Sequence, residues 1–286
     1  MSEGLAYVEG SIVDLHEARI PLNDRGYLLG DGVFETLRTS NGRVFRHADH
    51  EERFKQGLRA IGLDTEVVSE YNAALDALLT AGREKFGDEL YLRVQTSTGP
   101  MDDVLESDRG VLVTGICKRF RPYPMQYFAT GVQVIVSRQL KDSRNPLCGI
   151  KSLSFLPYIA ARREAHAVTA HDALLLNENG RIAEATTSNV FAMRDGIVYA
   201  PGAAEGAING VTRTVVLELL AEAEVPVEEA MDVAVFRRAD EAWLTNTTGA
   251  IVPITRFGEN TIGKGVKGDL TIQLSHALEA LIRGPA

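Results

Sequence analysis

The sequence has little cysteine: Cys117 and Cys148 are the only two in 286 residues. Two thiols cannot build a disulfide framework, and they fit a chain at work in a reducing cytoplasm. Cys148 lies close to Lys151, but a lone thiol is more often packing than chemistry. Positive charge is also short: 30 Lys and Arg against 39 Asp and Glu leave a formal net charge of −9. That balance argues against nucleic acid or an anionic membrane as partner. No apolar run is long enough to span a bilayer. The stretch Met1-Ser-Glu-Gly-Leu-Ala-Tyr-Val8 has neither the basic nor the apolar region of a signal peptide, so none is expected. Internal repeats and low-complexity tracts are missing. His47 and His50 have no third ligand at zinc spacing, so no metal is expected. The glycine run from Gly26 to Gly32 lacks a following Gly-Lys-Ser/Thr and is a poor nucleotide loop.

What is present is ordinary globular material, 45% hydrophobic and 24% charged, enough for one large domain or two modest ones. Short apolar stretches broken at Glu9-Gly10 predict a hairpin. The glycines of Asn23-Asp-Arg-Gly-Tyr-Leu-Leu-Gly-Asp-Gly32 let the backbone turn tightly ahead of a strand. In that strand Val33, Leu37 and Thr39 leave Phe34 and Thr36 on the opposite face. Amphipathic periodicity predicts helices over His47–Ile61 and Glu66–Phe86. Leu90–Gln95 reads as a strand with Tyr91, Arg93 and Gln95 on one face, and Val111–Ile116 as another. Arg119-Phe-Arg-Pro-Tyr-Pro-Met125 has the stiffness of a crossing. Domains are therefore expected over residues 1–120 and 132–286, joined by a linker at 121–131.

The second half carries the chemistry. Gly131–Ser137 reads as a buried strand. Lys151 follows it and precedes a helix through Ala165. A lysine at the mouth of an apolar stretch can lose hydration and become an amine nucleophile, able to form a Schiff base with a carbonyl cofactor; taken alone it is a surface lysine. Asp172–Leu176 is a strand. Glu184 precedes Ala185-Thr186-Thr187-Ser188-Asn189, a turn lined with hydrogen-bond donors; taken alone it is surface charge. Ile208-Asn209-Gly210-Val211-Thr212-Arg213 opens a helix, where unpaired N–H groups and a hydroxyl make either an anion site or a plain cap. Trp243–Ile251 is a strand running into the hydroxyl-rich turn Thr247-Thr248, a second candidate cradle. Gly263-Lys264-Gly265 reads as a surface turn before a last helix, Leu270–Ile282.

Together these pieces resemble the class IV (fold type IV) pyridoxal-phosphate aminotransferases. That family includes branched-chain and D-amino acid aminotransferases and a lyase cousin, 4-amino-4-deoxychorismate lyase. Glu184-x-Thr-x-x-Asn189-Val-Phe, then Ile208-x-Gly-Val-x-Arg213, with Gly-Ile-Lys151-Ser-Leu, carry the resemblance. It implies an α/β (α+β) fold of two domains, a smaller N-terminal one and a larger, barrel-like one with a mixed sheet, with pyridoxal 5'-phosphate between them. It also implies a cytoplasmic homodimer. Lys151 would hold the cofactor and shuttle the proton in a ping-pong exchange between an amino acid and a 2-oxo acid. Glu184 would pair with the pyridine nitrogen, with Ser188 and Asn189 in the same wall. Arg53, Val211, Thr212 and Thr247 would hold the phosphate. Thr248 would face the substrate carboxylate, and Phe34, Tyr91 and Arg93 line up with the substrate pocket of the branched-chain enzymes. Those three favour a hydrophobic, branched-chain-like donor. Leu156 is as in the D-amino acid branch, whose arginine and histidine carboxylate trap has no match near Thr96–Gly99, which leaves D-amino acids or (R)-amines as the alternative. Glu35 speaks against the lyase.

Overall fold

The computed structural model describes residues 3–102 and 110–284. Its chain divides into two compact units: Met1–Arg121 with Ile150–Phe155, and Pro122–Gly149 with Leu156–Ala286.

In the first unit, Glu9 and Gly10 take positive φ (48° and 79°) and close a two-residue hairpin between β1 (Leu5–Val8) and β2 (Ser11–Asp14). Asp24 caps the short α1 (Arg25–Leu29), its carboxylate accepting the Tyr27 N–H at 2.9 Å. Gly30 ends that helix at φ 70°, with the backbone of Ser154 where a side chain would stand. β3 (Gly32–Ser40) turns at Asn41-Gly42 into β4 (Arg43–Val44). The helices α2 (His47–Ala60) and α3 (Val67–Phe86) and the strands β5 (Leu90–Ser97) and β6 (Leu112–Arg119) follow. The sheet runs β2-β1-β6-β5-β3-β4, antiparallel throughout. Side chains alternate along a strand, so each strand offers one set to the helices. Leu37, Leu90, Leu92 and Val94 pack with Phe54, Leu58, Tyr71, Leu75 and Leu78, none more than 1% exposed. Each such residue stabilises the unit by about 2 kcal/mol. The opposite face carries Phe34, Thr36, Tyr91, Arg93 and Gln95, as the alternation predicts. The segment at Lys151 is pinned to β3: the Phe34 N–H donates to the Lys151 carbonyl at 3.0 Å, and Leu153 N–H to Gly32 at 2.9 Å.

The second unit opens with α4 (Met125–Thr130), so part of the stretch expected as linker is helical. Then come β7 (Val132–Lys141), α5 (Leu156–Ala167), β8 (Asp172–Asn177), β9 (Ile182–Ala185), β10 (Asn189–Arg194) and β11 (Ile197–Tyr199). A 3-10 turn (Ala203–Glu205) leads to α6 (Val211–Glu222), β12 (Val227–Glu228) and α7 (Val233–Arg237). The unit ends with β13 (Glu241–Asn246), β14 (Ala250–Phe257), β15 (Asn260–Thr261) and α8 (Asp269–Arg283). The sheet order is β12-β11-β10-β13-β14-β7-β8-β9, with β15 on β14. β7 is parallel to both its neighbours, and most other pairs are antiparallel. β9 and β10 stand five strand spacings apart along this path, which laid flat is about 24 Å. Only Thr186, Thr187 and Ser188 join them, a reach of at most about 14 Å. The sheet must therefore curl into a half-barrel, and the joining turn sits at its seam.

One irregularity in β7 matters for the site. Val132 and Val134 are buried, so even positions face the core. Between Val136 and Leu140 the register with β8 shifts. Glu164 of α5 holds the shifted residues, accepting from Ser137 Oγ at 3.0 Å and Arg138 N–H at 2.8 Å. A bulge changes the parity of every residue after it. Leu140 is consequently 64% exposed and Lys141 only 7%. Among the described residues, no helix is long and apolar enough to cross a membrane, and no three His, Cys, Asp or Glu side chains converge as metal ligands.

Candidate active site

In the first unit a carboxylate is buried beneath α2. Glu35 lies on the helix-facing side of β3, between Val33 and Leu37, and is 1% exposed. Arg53 grips it with two parallel bonds, Nε to Oε1 at 2.7 Å and Nη2 to Oε2 at 2.6 Å. His50, one turn back on α2, donates from Nδ1 to Oε2 at 2.8 Å. Burial by itself would raise the Glu35 carboxyl. The Arg53 charge, its two bonds and the His50 bond outweigh burial and hold it at about 2. Burial, ahead of the Arg53 and Lys151 charges, holds His50 below its ordinary value, so it stands neutral at pH 7. Of the two histidines His47 and His50, His50 is bonded to Glu35.

On the other face of that sheet two cations meet one ring. The Arg93 guanidinium lies 3.6 Å from the centre of Phe34, and Lys151 Nζ 4.5 Å from it. Phe34 is paired with Gln95 across the strands, so Arg93 reaches it on the diagonal. Arg93 Nε donates to Gln95 Oε1 at 2.9 Å, and burial weighs against its charge. Phe155 closes the group edge-on to Phe34 at 5.9 Å. Tyr91 stands one alternate position along β5, on the same face as Arg93.

In the second unit Glu184 is 3% exposed. Its place on β9, covered on both faces, explains why a residue that alone reads as surface charge is interior. Oε1 accepts from Lys141 Nζ and, at 2.9 Å, from the Tyr158 hydroxyl. Oε2 accepts the Ile208 N–H at 3.0 Å. Lys141 Nζ also donates to Tyr158 at 2.8 Å. Burial and Glu184 push the Tyr158 phenol up, so it stays a donor. Sequence reasoning places a lysine at the mouth of the buried strand and takes it to be Lys151. The lysine at that mouth is Lys141, and Lys151 groups with the first unit.

Ile208 leads within three residues to α6, whose first turn has no side-chain cap. Val211 and Thr212 are buried there, and their N–H groups have no acceptor inside the helix. Asn189 steadies the approach, donating to the Ile208 carbonyl at 2.7 Å. A Cβ on Gly210 would stand 2.1 Å from Asn189 Oδ1, so only glycine fits. Nearby, Asn246 Nδ2 donates to Ser188 Oγ at 2.8 Å, while Asn246 Oδ1 accepts the N–H groups of Thr248 and Gly249. This fixes the Thr247-Thr248 turn. Thr245 Oγ1 beside it is buried with no partner.

The structure thus groups Phe34, Arg93 and Lys151 with one another, Arg53 with Glu35, and Glu184, Ser188, Asn189, Val211, Thr212, Thr247 and Thr248 around the seam of the curled sheet. Sequence reasoning missed Glu35, Lys141 and Tyr158 as parts of these clusters. Glu35 had a signal, an acid on the apolar face of a strand. Lys141 had none, because its burial depends on the bulge.

A family model described as amino-transferase class IV matches residues 32–257. A D-alanine aminotransferase of Listeria innocua serovar 6a is 31% identical over 283 residues, 96% of each chain. A branched-chain aminotransferase from the thermophilic archaeon Thermoproteus uzoniensis, solved with norvaline, superposes with a TM-score of 0.85 at 24% identity, covering 99% of this chain and 95% of that one. A hypothetical aminotransferase from Mycobacterium tuberculosis in a PLP-bound form gives 0.85 at 18% identity, with 98% of each chain covered. A two-unit α/β fold with a curled sheet, a buried carboxylate beside an uncapped helix start, and a family match over most of the chain agree: the protein belongs to the class IV aminotransferases.

Proposed function

We propose that this aminotransferase uses pyridoxal 5'-phosphate, held covalently by Lys151, to move an amino group between an amino acid and a 2-oxo acid. The observation that carries the reading is Glu184: a buried carboxylate bonded to Lys141 and to the N–H of Ile208, which lies three residues before the open start of α6. Three residues of chain reach about 10 Å at most, the span from one end of a phosphorylated pyridine to the other. The unpaired Val211 and Thr212 N–H groups and the orphaned Thr245 hydroxyl fit a phosphate; Glu184 fits a ring N–H. When bound, this cofactor supplies a carbonyl that condenses with amines and a ring that takes up electrons from the substrate α-carbon.

The chain's own residues do the rest. Glu184 would accept a hydrogen bond from the ring N–H, with Lys141 and Tyr158 fixing the carboxylate. The α6 start, Thr212, Thr247 and Arg53 hold the phosphate; in an acidic chain a guanidinium beside a dianion is needed locally. Ser188 and Asn189 hold the walls of that cradle in place. Lys151 takes the substrate α-proton at Nζ and returns it. Arg93, desolvated and braced by Gln95, binds the substrate carboxylate, with Thr248 a second donor. Phe34, Phe155 and Tyr91 offer an apolar wall to a hydrophobic side chain. A D-amino acid donor is the second reading, favoured by the D-alanine aminotransferase relative.

The protein acts as a cytoplasmic homodimer in this reading. Ile20, Leu22, Tyr27, Leu28 and Leu29 support a subunit contact, being 44–79% exposed within ten residues of chain. Borohydride reduction of the holoenzyme followed by peptide mass spectrometry tests the central assignment. The cofactor is expected on the peptide with Lys151. Cofactor on Lys141 overturns it, and half-reactions with paired L- and D-amino acids decide the donor.

A further inference from the structure

The second unit has a cleft that the reaction does not use. It measures about 360 Å³ and is lined by α4 (Gln126, Tyr127, Thr130), the start of β7 (Gln133), α5 (Arg162, His166) and His171. Arg162 is fixed before any ligand arrives. Its Nη1 meets Asp172 Oδ2 at 3.0 Å and Thr186 Oγ1 at 3.4 Å, and its Nε donates to His166 Nε2 at 3.2 Å. Among the described residues its Nη2 has no partner. His171 stacks edge-on against Tyr127 at 4.6 Å and Tyr123 at 6.0 Å, and its ring nitrogens are likewise unpartnered. Asp172, next in sequence to His171, is engaged: Oδ1 accepts from Thr186 and from the Ala173 N–H, and Oδ2 is ion-paired with Arg162. The lining therefore offers donors and a cation with no acid left over. A pre-fixed guanidinium loses little entropy when it binds an oxyanion.

We propose that this cleft is a binding site for a small oxyanion, a phosphate or a carboxylate, held by Arg162 Nη2 and His171 with Gln126 at the rim. Burial first, then the Arg162 charge and His166, hold the His171 imidazole below its ordinary value, with Asp172 opposing them and the Tyr127 and Tyr123 rings uncharged. Binding an anion there draws a proton onto His171, so affinity rises as pH falls. The site is independent of the substrate assignment.

Calorimetry on the holoenzyme, whose own phosphate cradle is filled, tests this with inorganic phosphate in one arm and malonate in the other. One anion per chain is expected, with a Kd of the order of 1 mM at pH 6. Binding weakens at least about threefold at pH 8 as His171 sheds its proton. His171→Phe keeps the stack and removes the nitrogens; Gln126→Glu puts a negative charge at an exposed rim position. Each should weaken binding about tenfold or more while the cofactor absorbance stays that of the parent. The arm that binds tighter names the ligand class. No heat from either anion up to about 50 mM, or unchanged binding in both variants, overturns the proposal.

Discussion

Glu35→Gln removes one charge and almost no volume, and its effect can be worked out in advance. The carboxyl sits at about 2 in the folded protein against 4.5 for the free side chain. Each unit of displacement is about 1.4 kcal/mol, so the ionised group contributes about 3 kcal/mol at pH 7. The group is fully buried, so solvent does not discount this figure. The sign follows from the depressed value: the contribution is complete above the unfolded value of 4.5 and is lost as pH falls through about 2. By the same linkage it is about 2 kcal/mol at pH 3.5 and below about 1 kcal/mol at pH 2.5. Glutamine keeps one acceptor for Arg53 and leaves the guanidinium without its counter-charge, which alone costs a few kcal/mol at buried sites.

The variant should therefore unfold about 6–12 °C below the parent at pH 7. The gap should close steadily between pH 4.5 and pH 2.5. Urea melts of the two proteins side by side at pH 7, 4.5, 3.5 and 2.5 read the difference directly, because every other titrating group is shared. A gap that is constant across that range, or one under about 1 kcal/mol at pH 7, would refute the account, since it would mean that the Glu35 charge does not stabilise the fold.

Lys151→Ala should lower turnover by at least about 10³-fold while leaving the melting profile of the apoprotein unchanged, checked by half-reaction kinetics and calorimetry. Arg93→Leu should reduce kcat/KM for amino acids by about 30-fold, the loss of one charge-assisted pair, and leave the reaction with simple amines nearly untouched; equal losses for both would remove the carboxylate role. Lys141→Met leaves Glu184 buried with no cation, so the apoprotein should lose about 3 kcal/mol and recover much of it on adding pyridoxal phosphate, seen as a larger cofactor-induced rise in Tm than the parent shows. Gly210→Ala forces a methyl onto Asn189, and the Kd for the cofactor should rise about tenfold by absorbance titration.

How much could be read beforehand differs between the two units for a physical reason. In β3 and β5 the alternation is regular, so the sequence places Phe34, Tyr91 and Arg93 on one face, and the structure puts Phe34 and Arg93 in contact there. The same regularity should have exposed Glu35, whose position between Val33 and Leu37 makes it an inward acid. An inward acid needs a cation, and α2 offers Arg53 and His50 one turn apart. In β7 the alternation misleads. Continued past Val136 it would bury Leu140 and expose Lys141, and the structure does the reverse, because Glu164 on a distant helix stabilises a bulge. No local pattern carries that information.

The bulge also explains why Lys141 and Glu184 belong together. A carboxylate on a strand covered on both faces is costly to bury unless a cation and hydrogen-bond donors meet it. The parity change at Ser137–Gln139 turns the last residue of β7 inward and delivers the ammonium that Glu184 requires. Tyr158 and the Ile208 N–H then satisfy the remaining lone pairs, and the carboxylate is oriented before any ligand binds. Straightening the bulge tests this chain of causes away from the chemistry. Glu164→Ala removes the bonds to Ser137, Arg138 and Gln139, on a helix face that no substrate need touch. If the bulge delivers Lys141, the variant should bind pyridoxal phosphate about tenfold more weakly and resemble Lys141→Met in its apo and holo melting temperatures. Combining the two substitutions should then add little to either alone. Full additivity in the double variant would show that Glu164 acts on stability by another route, and the link from bulge to Lys141 to Glu184 would fail.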